Sequence, residues 1–543
     1  MPHSKFLLQP LWVAMLAVSH SGLVFAESEK NDAETNTLHS LAPIVVTAQQ
    51  GNDANGLIVH ADPKQPIQPV PATDGADYLQ SIMGFNSIQS GGTNGDVTFR
   101  GMFGSRIKIL TDGTENLGAC PNRMDAPTSY ISPESYDRIS VIKGPQTVQY
   151  ANTGSAATVL FERQPEKLTS EKSYRGQASV LLGSYGRIDH NIEAAVGDEK
   201  KYIRLNANRS ESNSYQDGDG NTVPSAWKKW NADVALGFTP DENTWVEITG
   251  GKSDGESLYA GRSMDGSQFA RESLGLRFEK KNITDVIKKI EGQVNYSYND
   301  HIMDNFSLRT PPLVEMNHDG MTMLMPNAMA MQVTRRTLNS RLAMTSEWNK
   351  WSLITGVDSQ FNKHGGSMSS PTMPSMNVPY RQDMRFQSYG AFGELGYQWN
   401  DQNKLVTGAR LDRVTVEDER ADSQAKGFNT KLEKTLPSAF VRWENQHPEH
   451  DLKSYIGLGY VERMPDYWEL FSPKHGNAGS TNTLNGSYNL RKDIDVSVGI
   501  DNVLDKTYTE HLNKAGSAGF GFASEEQFNN IGRNYWVRMS MKF

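Results

Sequence analysis

The single cysteine of this 543-residue chain, Cys120, lies four residues before Met124 in the stretch Gly118-Ala119-Cys120-Pro121-Asn122-Arg123-Met124. That spacing puts a thiolate and a thioether in one short loop. Soft sulfur donors select Cu(I) over hard cations, and over zinc where no histidine joins them. A chain made for an oxidising compartment ordinarily uses cysteines in pairs, so one left over points to a thiol retained for its chemistry. Read plainly, the same residue is a small buried hydrophobe, and the rest of the chain has to decide between the two.

Two further stretches are rich in thioethers. Met316, Met321, Met323, Met325, Met329 and Met331 crowd together near His318, and Met368, Met373, Met376 and Met384 crowd together near His364. Both are expected between long strands, and Asn317, Asp319, Gly320 and Pro326 give the first the character of a loop that gathers a soft metal. The alternate spacing of Met321, Met323 and Met325 also suits the lipid face of a strand. Catalytic signatures are missing. Gly250-Gly251-Lys252-Ser253 resembles a phosphate-binding loop, but Val246 stands where its first glycine belongs and no helix is expected after it. The 12 histidines are scattered without an HExxH pair, and none lies near Cys120 in sequence to act as its base. The chain is not expected to be an enzyme.

The elements that must position these residues begin with a leader. His3 and Lys5 precede the apolar run from Phe6 to Val18, and Val24-Phe25-Ala26 offers a cleavage site, so residues 1–26 read as a signal peptide. No run reaches the roughly 18 apolar residues of a spanning helix. Loss of Lys5, the one charged residue in the leader, takes the formal charge from -9 to -10, which offers no basic face to nucleic acid. With 37% hydrophobic residues, 47 glycines, 20 tyrosines and 10 tryptophans, the mature chain reads as many half-polar strands separated by turns. Trp230, Ala232, Val234, Leu236 and Phe238 form one face against Asn231, Asp233, Ala235 and Gly237. Ile494 to Ile500 and Tyr535 to Phe543 alternate in the same way. Runs of ten or more residues, with aromatic residues near their ends, exceed the strands of a soluble sandwich and suit strands tilted across a bilayer.

The N-terminal third has a different texture. Glu27 to His39 is a polar tail, Pro43-Ile44-Val45-Val46-Thr47-Ala48 is a short β-prone patch, and a linker follows to about Val70. Thr73 to Arg163 is a compact mixed segment, with a helix expected from Gly75 to Met83 capped by Asp74. Strands are expected at Val97–Arg100, Ile107–Leu110 and Arg138–Ile142. Long alternating strands start near Tyr174. Thirteen can be counted to Pro465, and three more near Thr483–Leu490, Ile494–Leu504 and Tyr535–Phe543, sixteen in all.

This order, together with Phe99-Arg100-Gly101, Ile142-Lys143-Gly144-Pro145, the segment Asp501-Asn502-Val503-Leu504-Asp505-Lys506-Thr507-Tyr508 and the final Phe543, resembles a TonB-dependent outer-membrane receptor. The resemblance implies a mostly β fold: a transmembrane antiparallel β-barrel in outer-membrane lipid, residues 170–543, holding a mixed α/β plug, residues 70–165. It implies a periplasmic tail over residues 27–69 whose TonB box, residues 42–48 with Pro43, Ile44, Val45, Val46 and Thr47, adds as a strand to the TonB energy transducer. Phe543 resembles the signal read by the barrel assembly machinery. Gly118 to Asp125 is similar to the copper-receptor branch, which completes its site with barrel methionines. The matching positions are Met264 in Arg262-Ser263-Met264-Asp265 and Met303 in His301-Ile302-Met303-Asp304. Copper is then the bound substrate. A siderophore or cobalamin receptor is the alternative reading.

One departure matters. Plugged transporters have about 22 strands, and about sixteen would enclose too narrow a lumen for such a plug. The passage from Tyr467-Trp468-Glu469-Leu470-Phe471 through Ser472 to Asn477 and Thr481 resembles a join, so about six strands are expected to be missing near residues 471–483. The wall should then show a gap near residues 471–485 or close into an unusually small barrel. Such a chain could also be a truncated copper-binding protein that transports poorly.

Overall fold

The computed structural model describes residues 57–64, 72–151, 154–216, 219–220, 222–260, 262–318, 321–420, 431–447, 452–470, 479–491, 494–501 and 534–541. The leader, residues 42–48, the stretch 471–478, most of the segment Asp501 to Tyr508, and Phe543 lie outside them. Residues 57–162 fold around one apolar core that includes Leu79, Phe99, Ile109, Ile139, Val141, Val159 and Phe161. Its strands are β1 (Ile58–Ala61), β2 (Phe85–Ile88), β3 (Asp96–Phe99), β4 (Met102–Phe103), β5 (Ile107–Thr111), β6 (Thr114–Glu115), β7 (Arg138–Lys143) and β8 (Ala157–Glu162). They form a mixed sheet in the order β1-β7-β8-β5-β6 and a small antiparallel sheet β2-β3-β4. The helix expected to Met83 covers only Gly75–Leu79. Asp74 caps it, accepting from the Ala76 and Asp77 amides, but Ser81 donates its hydroxyl back to the Tyr78 carbonyl, and the chain turns at Gly84 with a φ of 103°.

The wall follows. Its strands are β9 (Tyr174–Leu182), β10 (Ile188–Gly197), β11 (Lys201–Ser212), β14 (Trp227–Asp241), β15 (Thr244–Ser257), β16 (Asp265–Lys281), β17 (Ile287–Asp304), β20 (Ala330–Trp348), β21 (Trp351–Ser369), β22 (Val378–Asn400), β23 (Asn403–Asp418), β24 (Lys431–His447), β25 (Leu452–Arg463), β26 (Gly479–Arg491), β27 (Ile494–Asp501) and β28 (Asn534–Met541). The hairpins β12–β13 (Tyr215–Gln216, Thr222–Val223) and β18–β19 (Leu313–His318, Met321–Pro326) stand outside that order. Among the described residues these sixteen antiparallel strands agree with the thirteen and three counted from alternation. Strands such as β22, 23 residues long, exceed the roughly 9–11 needed to cross hydrocarbon, so they project beyond the bilayer.

The faces of the wall are inverted relative to a soluble protein. Val234, Leu236, Phe238, Leu274, Leu342 and Leu411 point outward and are 44–60% exposed, whereas Arg204, Asp233, Arg410 and Asp412 are buried inward. The inward polar groups meet the plug. Glu394 of β22 accepts from Thr147 Oγ1, the Val148 amide and Gln149 Nε2 at 2.6–2.7 Å. At the other end, Ser179 of β9 donates to Glu134 of the plug at 3.0 Å.

The expected break near residues 471–485 is corrected. There β25 and β26 pair without interruption from Ser454↔Tyr488 to Arg463↔Gly479. Loss of an even number of strands leaves new neighbours antiparallel, so nothing prevents them from pairing. Among the described residues it is β9 and β28 that have one partner each, β10 and β27, and the ladder is open between them. β9 and β24 are both bonded to the plug, Ser179 to Glu134 and Arg442 to the Gln146 carbonyl, and the open edges of the described ladder lie at the first and last strands.

Candidate metal centre

The loop that carries Cys120 and Met124 is folded by its own sequence. Pro121 presets φ for the second position of a turn that closes when the Arg123 amide donates to the Cys120 carbonyl at 3.0 Å. Arg123 takes a left-handed φ of 54°, and its side chain offsets that strain by a two-pronged bond to Asp96 at 2.5 and 2.8 Å. Asp125 gathers the loop from inside, accepting from the Ala119 amide at 2.7 Å, the Cys120 amide at 2.8 Å and the Tyr130 hydroxyl at 2.9 Å. Gly118 permits the approach, because a Cβ there would lie 2.0 Å from the Asp125 carbonyl.

The barrel meets the same loop through its backbone. Asn299 donates to the Leu117 carbonyl at 2.6 Å, Arg262 to that of Asn122 at 3.0 Å, and the Tyr259 hydroxyl to that of Met124 at 2.9 Å. These bonds bring plug sulfur onto barrel sulfur. Cys120, Met124 and Met303, each at most 4% exposed, share one buried cluster with Tyr130, Tyr259, Phe269 and Val333, and Met264 and Met331 pack against it. Cys120 Sγ lies 3.8 Å from Met303 Sδ. Two sulfurs each about 2.3 Å from one ion at the tetrahedral angle stand about 3.8 Å apart. The separation of this pair matches that spacing. All four sulfur residues expected to act together do converge, although they come from a plug loop, the turn before β16 and the end of β17.

Sequence reasoning passed over His301. It lies two residues before Met303 in β17, hence on the same inward face, and has no exposed surface. Its Nδ1 is 2.8 Å from the Gln268 carbonyl, which can only accept, so Nδ1 carries the proton and Nε2 keeps a lone pair. That Nε2 is buried without a hydrogen-bond partner, and Phe269 packs on the ring with centroids 4.5 Å apart. The available signal was the i, i+2 spacing to Met303, which a search for closely paired histidines does not register. Among the described residues no group of three His, Cys, Asp or Glu is placed to hold a metal. The methionine stretches are also partly corrected. Met331, Met368 and Met384 lie within β20, β21 and β22 rather than between strands. Met331 pairs across the sheet with Met303 on one side and Met368 on the other.

Burial first, and then the neighbouring charge of Asp125, push the Cys120 thiol up to about 12. The metal-free loop thus holds a protonated thiol, and a metal must displace that proton to gain the thiolate.

Residues 59–158 match the TonB-dependent Receptor Plug Domain, and residues 206–493 match the family described as TonB dependent receptor-like, beta-barrel. The chain belongs to the TonB-dependent receptors. As one of these it is a receptor of the bacterial outer membrane and not an enzyme. Among solved structures it is similar to the copper transporter OprC, at 39% identity and a TM-score of 0.73, covering 93% of this chain and 100% of that one. The FrpB iron transporter from Neisseria meningitidis is 13% identical, with a TM-score of 0.63 over 90% of this chain and 78% of its own. The ferripyoverdine receptor of Pseudomonas aeruginosa is 12% identical, with a TM-score of 0.65 over 91% and 69%. The latter two share the receptor fold alone. No curated protein matches the chain.

Proposed function

We propose that this receptor binds copper as Cu(I), through Cys120, Met124, Met303 and the Nε2 of His301 with Met264 alongside, and passes it to the periplasm when TonB engages residues 42–48. The observation that carries the reading is the buried 3.8 Å meeting of a plug thiol with a barrel thioether. A thiolate with thioethers is a poor host for hydrated hard ions. The added imidazole is a donor zinc also accepts, so it is the thioethers that favour Cu(I). Likeness to a copper transporter at 39% identity supports the same cargo. Met331 and Met368, at matched register beside Met303, extend thioether chemistry along the wall.

The test is metal analysis of the purified, membrane-folded protein. Cys120→Ser removes the thiolate with little change in shape, and copper bound per chain should fall to background while the barrel still assembles. An unchanged stoichiometry would sink the assignment. Deleting residues 42–48 should abolish energised uptake and leave binding intact. The single partners of β9 and β28 favour a second reading, in which about six strands have been lost near residues 471–483. Unpaired backbone groups are strongly disfavoured in hydrocarbon, and such a wall would bind copper but transport it poorly. Binding without uptake in cells carrying a working TonB would select that reading.

A further inference from the structure

The two peptide carbonyls that lead into Cys120 are each held by a barrel side chain. Arg335 of β20 donates to the Gly118 carbonyl at 3.2 Å and to the Asp466 carboxylate at 2.7 Å. His364 of β21 donates from Nε2 to the Ala119 carbonyl at 2.5 Å, with Nδ1 3.0 Å from Asp383 Oδ1. Tyr467, in the one-turn helix Tyr467–Leu470, donates its hydroxyl to the other Asp383 oxygen at 2.7 Å. Its ring also stacks on the imidazole, with centroids 3.3 Å apart at 15°. The His364 side chain is fully buried and Tyr467 is 2% exposed. Bonded at both nitrogens and covered on one face, this ring has no freedom to turn.

We propose that His364 is a positioning residue for Cys120, with Asp383 and Tyr467 holding it in place. Together with the bond from the Cys120 amide to Asp125, its hold on the Ala119 carbonyl fixes the peptide plane that precedes Cys120, and the orientation of that plane decides where the thiol lies relative to Met303. Metal sites tolerate errors of only about 0.5 Å and 10–20°, so an Ala119–Cys120 peptide held only at its amide, by Asp125, would turn far enough to spoil the meeting of the sulfurs. Partners one step removed from a metal typically govern about 10- to 100-fold of its affinity. The consequence for copper rests on the function proposed above, whereas the latch itself does not.

Because Cys120 is the only cysteine, the rate of its alkylation in metal-free, membrane-folded protein reports the loop alone. Wild type should label slowly. His364→Ala should label at least tenfold faster, His364→Gln, whose amide N–H can take the place of Nε2–H, should return near to wild type, and Tyr467→Phe should fall between. Cu(I) affinity, measured by competition with a chromophoric chelator, should drop 10- to 100-fold in His364→Ala and recover in His364→Gln, with the sulfur count at the copper K-edge following. Tyr467→Phe removes one hydroxyl and keeps the stacked ring, so it stands in if His364→Ala fails to assemble. Wild-type labelling rates in both His364→Ala and Tyr467→Phe overturn the proposal. Altered labelling in a protein that binds no copper upholds the latch and overturns the copper function instead.

Discussion

Replacing Met303 by leucine separates packing from coordination. Met303 is 1% exposed within the cluster that includes Cys120, Tyr259 and Phe269, and leucine has nearly its volume. The fold should therefore lose less than about 1.5 kcal/mol. Coordination should lose far more. Closed sites of four donors hold their ion with about 10–16 kcal/mol, so one donor of four accounts for about 2.5–4 kcal/mol, or about a hundred- to a thousand-fold in affinity. The 3.8 Å separation from Cys120 Sγ makes Met303 a full partner in this division rather than an outlying one. The assay is competition for Cu(I) between detergent-solubilised protein and a chromophoric chelator of known affinity, paired with thermal unfolding of the metal-free protein. Copper bound within threefold of wild type, at unchanged melting temperature, would refute the argument and reduce Met303 to a filler of space.

Three further outcomes follow from the same geometry. His301→Asn removes the unpartnered Nε2, and its Cu(I) affinity should fall at least tenfold while zinc competition weakens too; equal affinity in the variant would exclude the ring from the site. Since the thiol is pushed up to about 12, it is protonated across the working range and each bound ion releases a proton. Apparent affinity should rise about tenfold per pH unit and keep rising from pH 8 to 10, whereas an ordinary thiol near 8.5 would level off. Glu394→Gln sets an amide against one of the three plug donors it now accepts. Bonds to a charged acceptor are worth about 1.5–3 kcal/mol each, so hydrogen exchange at the Val148 amide should quicken at least tenfold, and unchanged protection would dismiss Glu394 as an anchor.

The wall was legible because a bilayer imposes long strands with strict alternation, so Trp230 to Phe238 announced an outward apolar face that is 38–51% exposed at Trp230, Val234, Leu236 and Phe238. Cys120 and Met124 were legible because a lone cysteine with a nearby thioether is rare and local. His301 was not, since its meaning depends on a tautomer fixed by the Gln268 carbonyl and on the absence of any partner for Nε2, both properties of the folded sheet. Nor was the place where the wall stays open. The residues 467–481 suggested a break by their order alone, whereas among the described residues the open edges fall at β9 and β28, around a plug tied to β9 and β24. The role of residues 466–470 was equally hidden, because Asp466 and Tyr467 act on a loop more than 340 positions away in the chain.

The backbone moorings of the Cys120 loop have a mechanical consequence. For a receptor pulled at its N-terminus, tension is carried first by β1, a strand held to β7 through four residue pairs, Ile58 to Ala61. The loop lies more than fifty residues further along, fastened to the wall through the carbonyls of Gly113, Glu115, Leu117, Gly118, Ala119, Asn122 and Met124. Links in series yield at the weakest one, and a short ladder at one edge is weaker than a loop tethered at seven points. On the function proposed above, this load path would part β1 from β7 before it strained the loop that holds Cys120, so the way inward would open while the sulfurs were still in place.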